Sequence, residues 1–272
     1  MMRSLYSGVS GLRNHQVRMD VIGNNIANVN TIGYKSGRVV FKDLYSQTVK
    51  SSSAPVAGGL GGTNARQIGL GVSMSAIDVL FTRGGDQYTG NPLDLCIEGD
   101  GFFVVNDGAG NFFTRAGNFY IDDANNLVNA DGLHLQGYVA PAAPPAVPAD
   151  IVIPAADHDI SIDSAGNVVG LDALNNQVTI ATLALATFTN QNGLEKTGNS
   201  LYTPSANSGV ANYVLAGAAG SAYLSPGSLE MSNVDLAQEF TDMIVTERGF
   251  QANSRIITTS DQMLEELVNL KR

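Results

Sequence analysis

Apolar residues return every seven positions at both ends of the chain. Leu5, Leu12, Met19 and Ile26 mark one row near the start, with Ile22 and Val29 as a second row three positions on. Toward the other end Leu229, Leu236, Met243, Phe250, Ile257 and Leu264 fall seven apart without a miss. A sevenfold repeat puts its residues on one stripe of an α-helix, the seam along which helices pair. The second C-terminal row turns polar in its middle, at Glu247, Ser254 and Asp261, so the stripe is narrow and asks for several neighbours rather than one. Ser232 or Asn233 is the expected N-cap, with Asp235 and Glu239 near the positive end of the helix dipole and Lys271 and Arg272 near its negative end. The spacing predicts a helix over about 234–270, on the order of 55 Å long at ~1.5 Å per residue. The N-terminal helix is expected to stop near Thr31-Ile32-Gly33, where glycine supplies the turn. Both segments attach to one intervening body, so a side-by-side pair is antiparallel.

Between the ends the period changes. Residues 51–73, SSSAPVAGGLGGTNARQIGLGVS, are Ser/Gly-rich and weakly periodic, as a linker or extended arm would be. The stretch FFVVNDGAGNFFTRAGNFYIDDANNLVNADGLHLQGY then gives short apolar runs broken by Asn-Asp-Gly, Ala-Gly-Asn, Asp-Asp and Ala-Asp-Gly, the punctuation of β-hairpins. ISIDSAGNVVGL repeats the pattern, and QVTIATLALATF alternates for most of its length. The Pro/Ala segment 140–150, APAAPPAVPAD, can be neither helix nor central strand and reads as an exposed insertion within one β body. The expected fold is α+β: long antiparallel terminal helices, coiled-coil-like, from 1–45 with 228–272. A Gly/Ser-rich arm at 46–75 and a β-rich domain at 76–227 complete it.

Charge sharpens the division. Residues 1–50 carry seven Lys/Arg against two Asp/Glu, or +5, and residues 228–272 carry four against eight, or -4. The middle carries four against fifteen, or -11, giving the net -10. Ends of opposite sign suit pairing, and the acidic total argues against nucleic acid, whose phosphates need a basic face. A single Cys, Cys96, excludes a disulfide within one chain and a thiolate cluster. No apolar run approaches the ~18 residues of a membrane span, and MMRSLYSGVSGL lacks the apolar core of a cleaved secretory signal. The expectation is a soluble chain with no membrane insertion, exported, if at all, by another route.

The residues suggest little chemistry. His15, His134 and His158 are scattered, and the aspartates beside His158 in ADHDI point to the opposite face of a strand. GGLGGTN lacks the Lys-Ser/Thr of a phosphate loop. Glu98 and Asp100 in CIEGDGFF are more simply a turn than a glycosidase pair, and Asp107, Asp122, Asp123 and Asp131 also sit in turn sequences. No catalytic residue, metal ligand or cofactor site is expected.

The remaining motifs resemble a known family. SGLRNHQVRMDVIGNNIANVNTIGYKSGRVVFKDL is similar to the N-terminal signature of bacterial flagellar rod and hook proteins, in which an apolar row ends in an Asn-Asn-x-Ala-Asn run and a Thr-x-Gly-aromatic-Lys turn. LEMSNVDLAQEFTDMIVTERGFQANSRIITTSDQMLEELVNLKR resembles the matching C-terminal helix, and IEGDGFFVV, TRAGNFYID and LVNADGLHLQGY resemble the β domain. GGTNARQIGLGV and the ending LVNLKR are most like the short hook type of Gram-positive flagella, and the Pro/Ala insertion is the chief departure.

The resemblance implies a structural subunit of the flagellar hook, a flexible helical tube joining rod to filament. The terminal helices would form the inner tube. Expected partners are copies of itself, neighbouring rod, hook-cap and hook-filament junction proteins, and the flagellar export apparatus; the expected location is the extracellular hook at the basal body. The heptad residues above, together with Asn24, Asn25 and Asn28, are then subunit-packing positions, since neutral amides bridge neighbouring backbones without bringing charge. Gly58, Gly59, Gly61 and Gly62 are the expected hinge that lets the β domains slide. Two other readings stand beside this one: the distal-rod protein of the same family, which makes a straight shaft inside the envelope, and a secreted β-rich hydrolase using turn carboxylates.

Overall fold

The computed structural model describes residues 2–55, 61–139, 147–154, 158–172, 174, 176–218 and 222–270. Two compact units emerge: one of Met1–Ala27, Gly37–Val79 and Asp235–Arg272, the other of Asn28–Ser36 and Leu80–Val234.

The first unit holds two long helices, α1 (Met2–Ala27) and α2 (Leu236–Asn269). They pack antiparallel, since Ser4 meets Ser260, Gly11 meets Asn253 and Asn25 meets Glu239 in one continuous register. Both ends of the sequence pattern are displaced slightly from expectation. α1 stops at Ala27 rather than near Gly33, because the asparagine-rich stretch turns instead, with Thr31 N–H donating to Asn28 O at 3.1 Å. α2 is capped by Asp235, whose carboxylate accepts from the Ala237 and Gln238 N–H groups, and not by Ser232 or Asn233. Asn233 is engaged elsewhere, as described below. Lys271 and Arg272 lie outside the described residues.

Among the described residues the same unit contains four strands. β1 (Gly37–Asp43) pairs antiparallel with β4 (Val72–Val79), and β2 (Ser46–Lys50) pairs antiparallel with β3 (Arg66–Gly69). The stretch read as a Gly/Ser arm therefore begins and ends as a two-stranded ribbon, with Ser53 bridging Thr63. Every residue of β2 and β3 is exposed. Gly61 and Gly62 are exposed beyond the ribbon, while Gly58 and Gly59 lie outside the described residues.

The second unit is built around the 11-residue strand Gln177–Thr187, which pairs with Asn167–Leu171, His134–Val139, Asn212–Leu215 and Phe102–Asn106, all antiparallel. Strands from both sides of the Pro/Ala segment enter this one network. Residues 140–146 of that segment lie outside the described residues. Successive side chains in a strand point to opposite faces, so the run Phe102-Phe103-Val104-Val105 feeds two apolar clusters at once. Phe103 and Val105 join Leu135, Leu183 and Leu185 on one face; Phe102 and Val104 join Phe113, Tyr138 and Phe188 on the other. Both faces are covered, which is why Phe102–Val105 reads as an unbroken apolar run rather than alternation.

Candidate assembly site

The α1–α2 seam is made by small residues. A Cβ on Gly8 would stand 3.4 Å from Ile257 Cγ1, one on Gly11 would stand 2.6 Å from Asn253 Nδ2, and one on Gly249 would stand 2.8 Å from the His15 ring. The helices approach this closely because side chains are missing at the contact. His15 also meets Phe41 edge-on, and burial, aided by Arg18, lowers its pKa.

Farther along the seam, Arg18 pairs with Asp242 at 3.1 Å. The Asn25 amide donates to Gly37 O and to Glu239 Oε1, and its oxygen accepts from the Gly37 N–H, each at 2.9 Å. Burial raises the Glu239 pKa, against the hydrogen bond from Asn25.

The heptad residues divide by what covers them in the single chain. Ile22 and Asn25, both expected at subunit contacts, are buried within the single chain. Leu229 is also buried. Leu5, Leu12, Met19, Ile26, Asn28, Val29, Met243, Ile257 and Leu264 are half-buried, while Asn24, Leu236 and Phe250 are exposed. Apolar side chains of α2 off the sevenfold row are open to solvent on two faces, Phe240 and Ile244 on one and Val245, Ile256, Met263 and Leu267 on another. The signal was present: Leu236, Phe240 and Ile244 are spaced by four, a second helical row.

The second unit contains a buried ionic clasp that sequence reasoning missed. Glu230 accepts from Lys35 Nζ at 2.6 Å through one oxygen and from Arg115 at 3.4 Å through the other, and all three side chains are shut off from water. Lys35 also donates to Thr82 O at 2.8 Å, and Arg115 to Gly99 O at 2.9 Å while lying 5.2 Å over the Phe102 ring. Desolvation lowers the Lys35 pKa and the Glu230 carboxylate opposes that shift. Gly33 completes the turn ahead of Lys35. Its φ of +66° and the 2.7 Å that would separate a Cβ from Ala116 N leave room for no other residue, and its N–H donates to Glu230 O at 2.8 Å.

Beside the clasp, Asn233 donates to Leu80 O and Thr82 Oγ1, both at 2.8 Å, and accepts from the Ser36 N–H at 2.8 Å. Residues 28–36 follow α1 in sequence and 228–234 precede α2, so these bonds tie together the two stretches that border the helices. The hints were a glutamate between apolar neighbours in GSLEMS and a lysine closing TIGYK.

Chemistry of other kinds is sparse. Among the described residues no three His, Cys, Asp or Glu side chains are grouped as a metal site, and no described helix is long and apolar enough to cross a membrane. Cys96 is buried against Asp86, and burial pushes its thiol pKa up to about 12.

The antiparallel helix pair leaves several large apolar side chains of α2 uncovered in the single chain. Three family models match the chain: flagella basal body rod protein over residues 5–35, flagellar hook protein FlgE/F/G D1 domain over 96–170, and flagellar basal body rod FlgEFG protein C-terminal over 225–270. It is 50% identical over 273 residues to the flagellar basal-body rod protein FlgG of Bacillus subtilis, covering all of both chains. In Borreliella burgdorferi it is 36% identical over 276 residues to the rod protein FlgG and 32% identical over 442 residues to the hook protein FlgE, again covering all of both chains in each case. The chain belongs to the flagellar rod and hook family, structural proteins that form polymers within the flagellar basal body.

Proposed function

We propose that this chain is a rod subunit, a segment of the straight shaft inside the envelope, rather than the hook subunit that its motifs suggest. One observation carries the reading: the similarity to rod proteins is co-extensive, 273 aligned positions against 272 residues, whereas the hook alignment runs to 442 positions because that relative is far longer. The half-buried and exposed positions of the α1 and α2 rows pack against neighbouring copies. Ribbon β2–β3 and the glycines beyond it meet adjoining subunits, and rod neighbours at either end and the export apparatus are the remaining partners.

The termini travel unfolded through the export channel and become helical at the growing tip. The narrow, small-residue seam supports this, since a weakly self-sufficient helix pair orders fully only when neighbours bury it. Circular dichroism of dilute monomer is expected to show less helix than the polymer; equal content would refute coupled ordering.

Immunogold microscopy with antibody against residues 76–225 tests the assignment. Gold that appears only after the envelope is opened supports the rod. Gold on a short curved segment at the filament base of intact cells would return the chain to the hook, the second reading, which the likeness of GGTNARQIGLGV and LVNLKR to short hook proteins favours.

A further inference from the structure

We propose that the C-terminal end of α2 docks in a groove between α1 and the β1–β4 ribbon of a second copy of this chain, a contact that deepens the polymer reading above. The groove, about 370 Å³, is lined by Tyr6, Val9 and Arg13 of α1 and by Leu44, Leu70 and Val72. Its apolar lining is open: Tyr6 is 69% exposed and Leu44 and Leu70 nearly 40%. Met263, Leu267 and Leu270 stand at i, i+4 and i+7, the anchor spacing of a helix that lies in an apolar groove, and they are 49%, 51% and 82% exposed.

The register of the helix pair excludes the chain's own groove as the seat. Ser4 is level with Ser260, so residues 263–269 of α2 run past Met2, the first residue of α1, while Tyr6 to Arg13 lie behind, opposite residues near 250–258. A continuous helix cannot fold back over that distance. Charge selects the same pairing. Arg13 projects from the groove wall, Glu266 flanks the apolar anchors one turn after Met263, and neither forms an ion pair among the described residues. A contact between two different patches repeats head to tail and builds an open helical polymer rather than a closed dimer.

Cysteine cross-linking tests the contact on assembled structures. Tyr6→Cys and Leu267→Cys in one chain are expected to give a ladder of disulfide-linked multimers on mild oxidation, and either substitution alone is expected to give none. The native Cys96 stays silent because it is buried and its thiol is protonated at neutral pH. Polymers seen by electron microscopy without the ladder would overturn the docking and leave the rod reading intact, since gold labelling judges that separately. Where the cysteine pair prevents assembly, charge exchange decides. Arg13→Glu and Glu266→Arg are each expected to cut polymer yield about tenfold, and the two together to restore it. Failure of the combined variant to restore polymer would also overturn the contact.

Discussion

The β-rich unit closes on Phe102, Phe103, Val104, Leu183 and Leu185, all fully buried, whereas the buried residues of α2 are Thr246 and Ser260 and those of α1 are Gly8, Gly11, Ile22 and Asn25. Each large apolar side chain removed from water stabilises a fold by roughly 1.5–3 kcal/mol. Glycine and serine at a helix contact supply close approach but little apolar area. The β-rich unit thus has a closed apolar core within the single chain, although Tyr88, Leu174 and Val210 at its surface stay exposed, whereas the helical unit buries little apolar area and leaves Phe240, Ile244, Met263 and Leu267 open to solvent. The comparison separates a unit with a closed apolar core from one that, on the reading proposed above, is finished by its neighbours.

The largest test of that contrast removes the clasp. Glu230→Ala leaves the Lys35 and Arg115 charges buried without their shared carboxylate and is expected to destabilise the β unit by about 3–5 kcal/mol, read by denaturant titration of tyrosine fluorescence. A change below about 1 kcal/mol would mean that the clasp is solvated in solution. Replacing all three residues together by methionine is expected to recover much of the loss, because no buried charge is then left unpaired.

Next in size is the helix seam. Gly11→Val forces side-chain atoms into Asn253 and is expected to cost about 1–3 kcal/mol, seen as faster amide exchange in α1 and α2 with the β unit unchanged. Equal protection loss in both units would show that the two do not fold as separately as their cores suggest. Smaller still in the monomer is Phe240→Ser. The side chain is 50% exposed, so stability should move by no more than about 0.5 kcal/mol while polymer formation drops sharply. A monomer that weakens as much as the polymer would place Phe240 in the fold rather than in the assembly surface.

How much of this was legible in the sequence follows the same division. Periodicity exposes what repeats, so the two helices and the hairpins at Asn-Asp-Gly and Ser-Ala-Gly-Asn were readable, because turn chemistry and spacing are local. The clasp was not, since Lys35, Arg115 and Glu230 are brought together only by the topology of the sheet. The cap at Asp235 was misplaced by two or three residues for a related reason: Asn233 is as good a cap by type, and long-range bonds to Leu80 and Thr82 decide between them. In α2 the sevenfold row runs through Leu236, Met243 and Phe250, while Phe240 and Ile244 stand beside it, spaced by four from Leu236. Apolar side chains scattered beside a narrow row are ones that no single partner helix covers.

The smallest effect expected is a pH dependence confined to the helical unit. His15 has a folded pKa below its ordinary 6.5 because burial disfavours the imidazolium and Arg18 repels it. Its contribution is therefore present above pH 6.5 and is lost as pH falls through the lowered folded value. Glu239 runs the other way. Burial raises its pKa above 4.5, with Asp242 adding and Asn25 and Arg18 opposing, so its contribution is present below pH 4.5 and is lost as pH rises through the raised folded value. Amide exchange of α1 and α2 followed from pH 4 to pH 8 should show two opposed slopes. His15→Gln is expected to flatten the loss on acidification and Glu239→Gln the loss on going alkaline, with the β unit moved by neither. An unchanged profile in His15→Gln would mean that the imidazole meets water in solution. The seam would then be looser than the 2.8 Å approach at Gly249 requires, and the helices would rely even more on their neighbours for order.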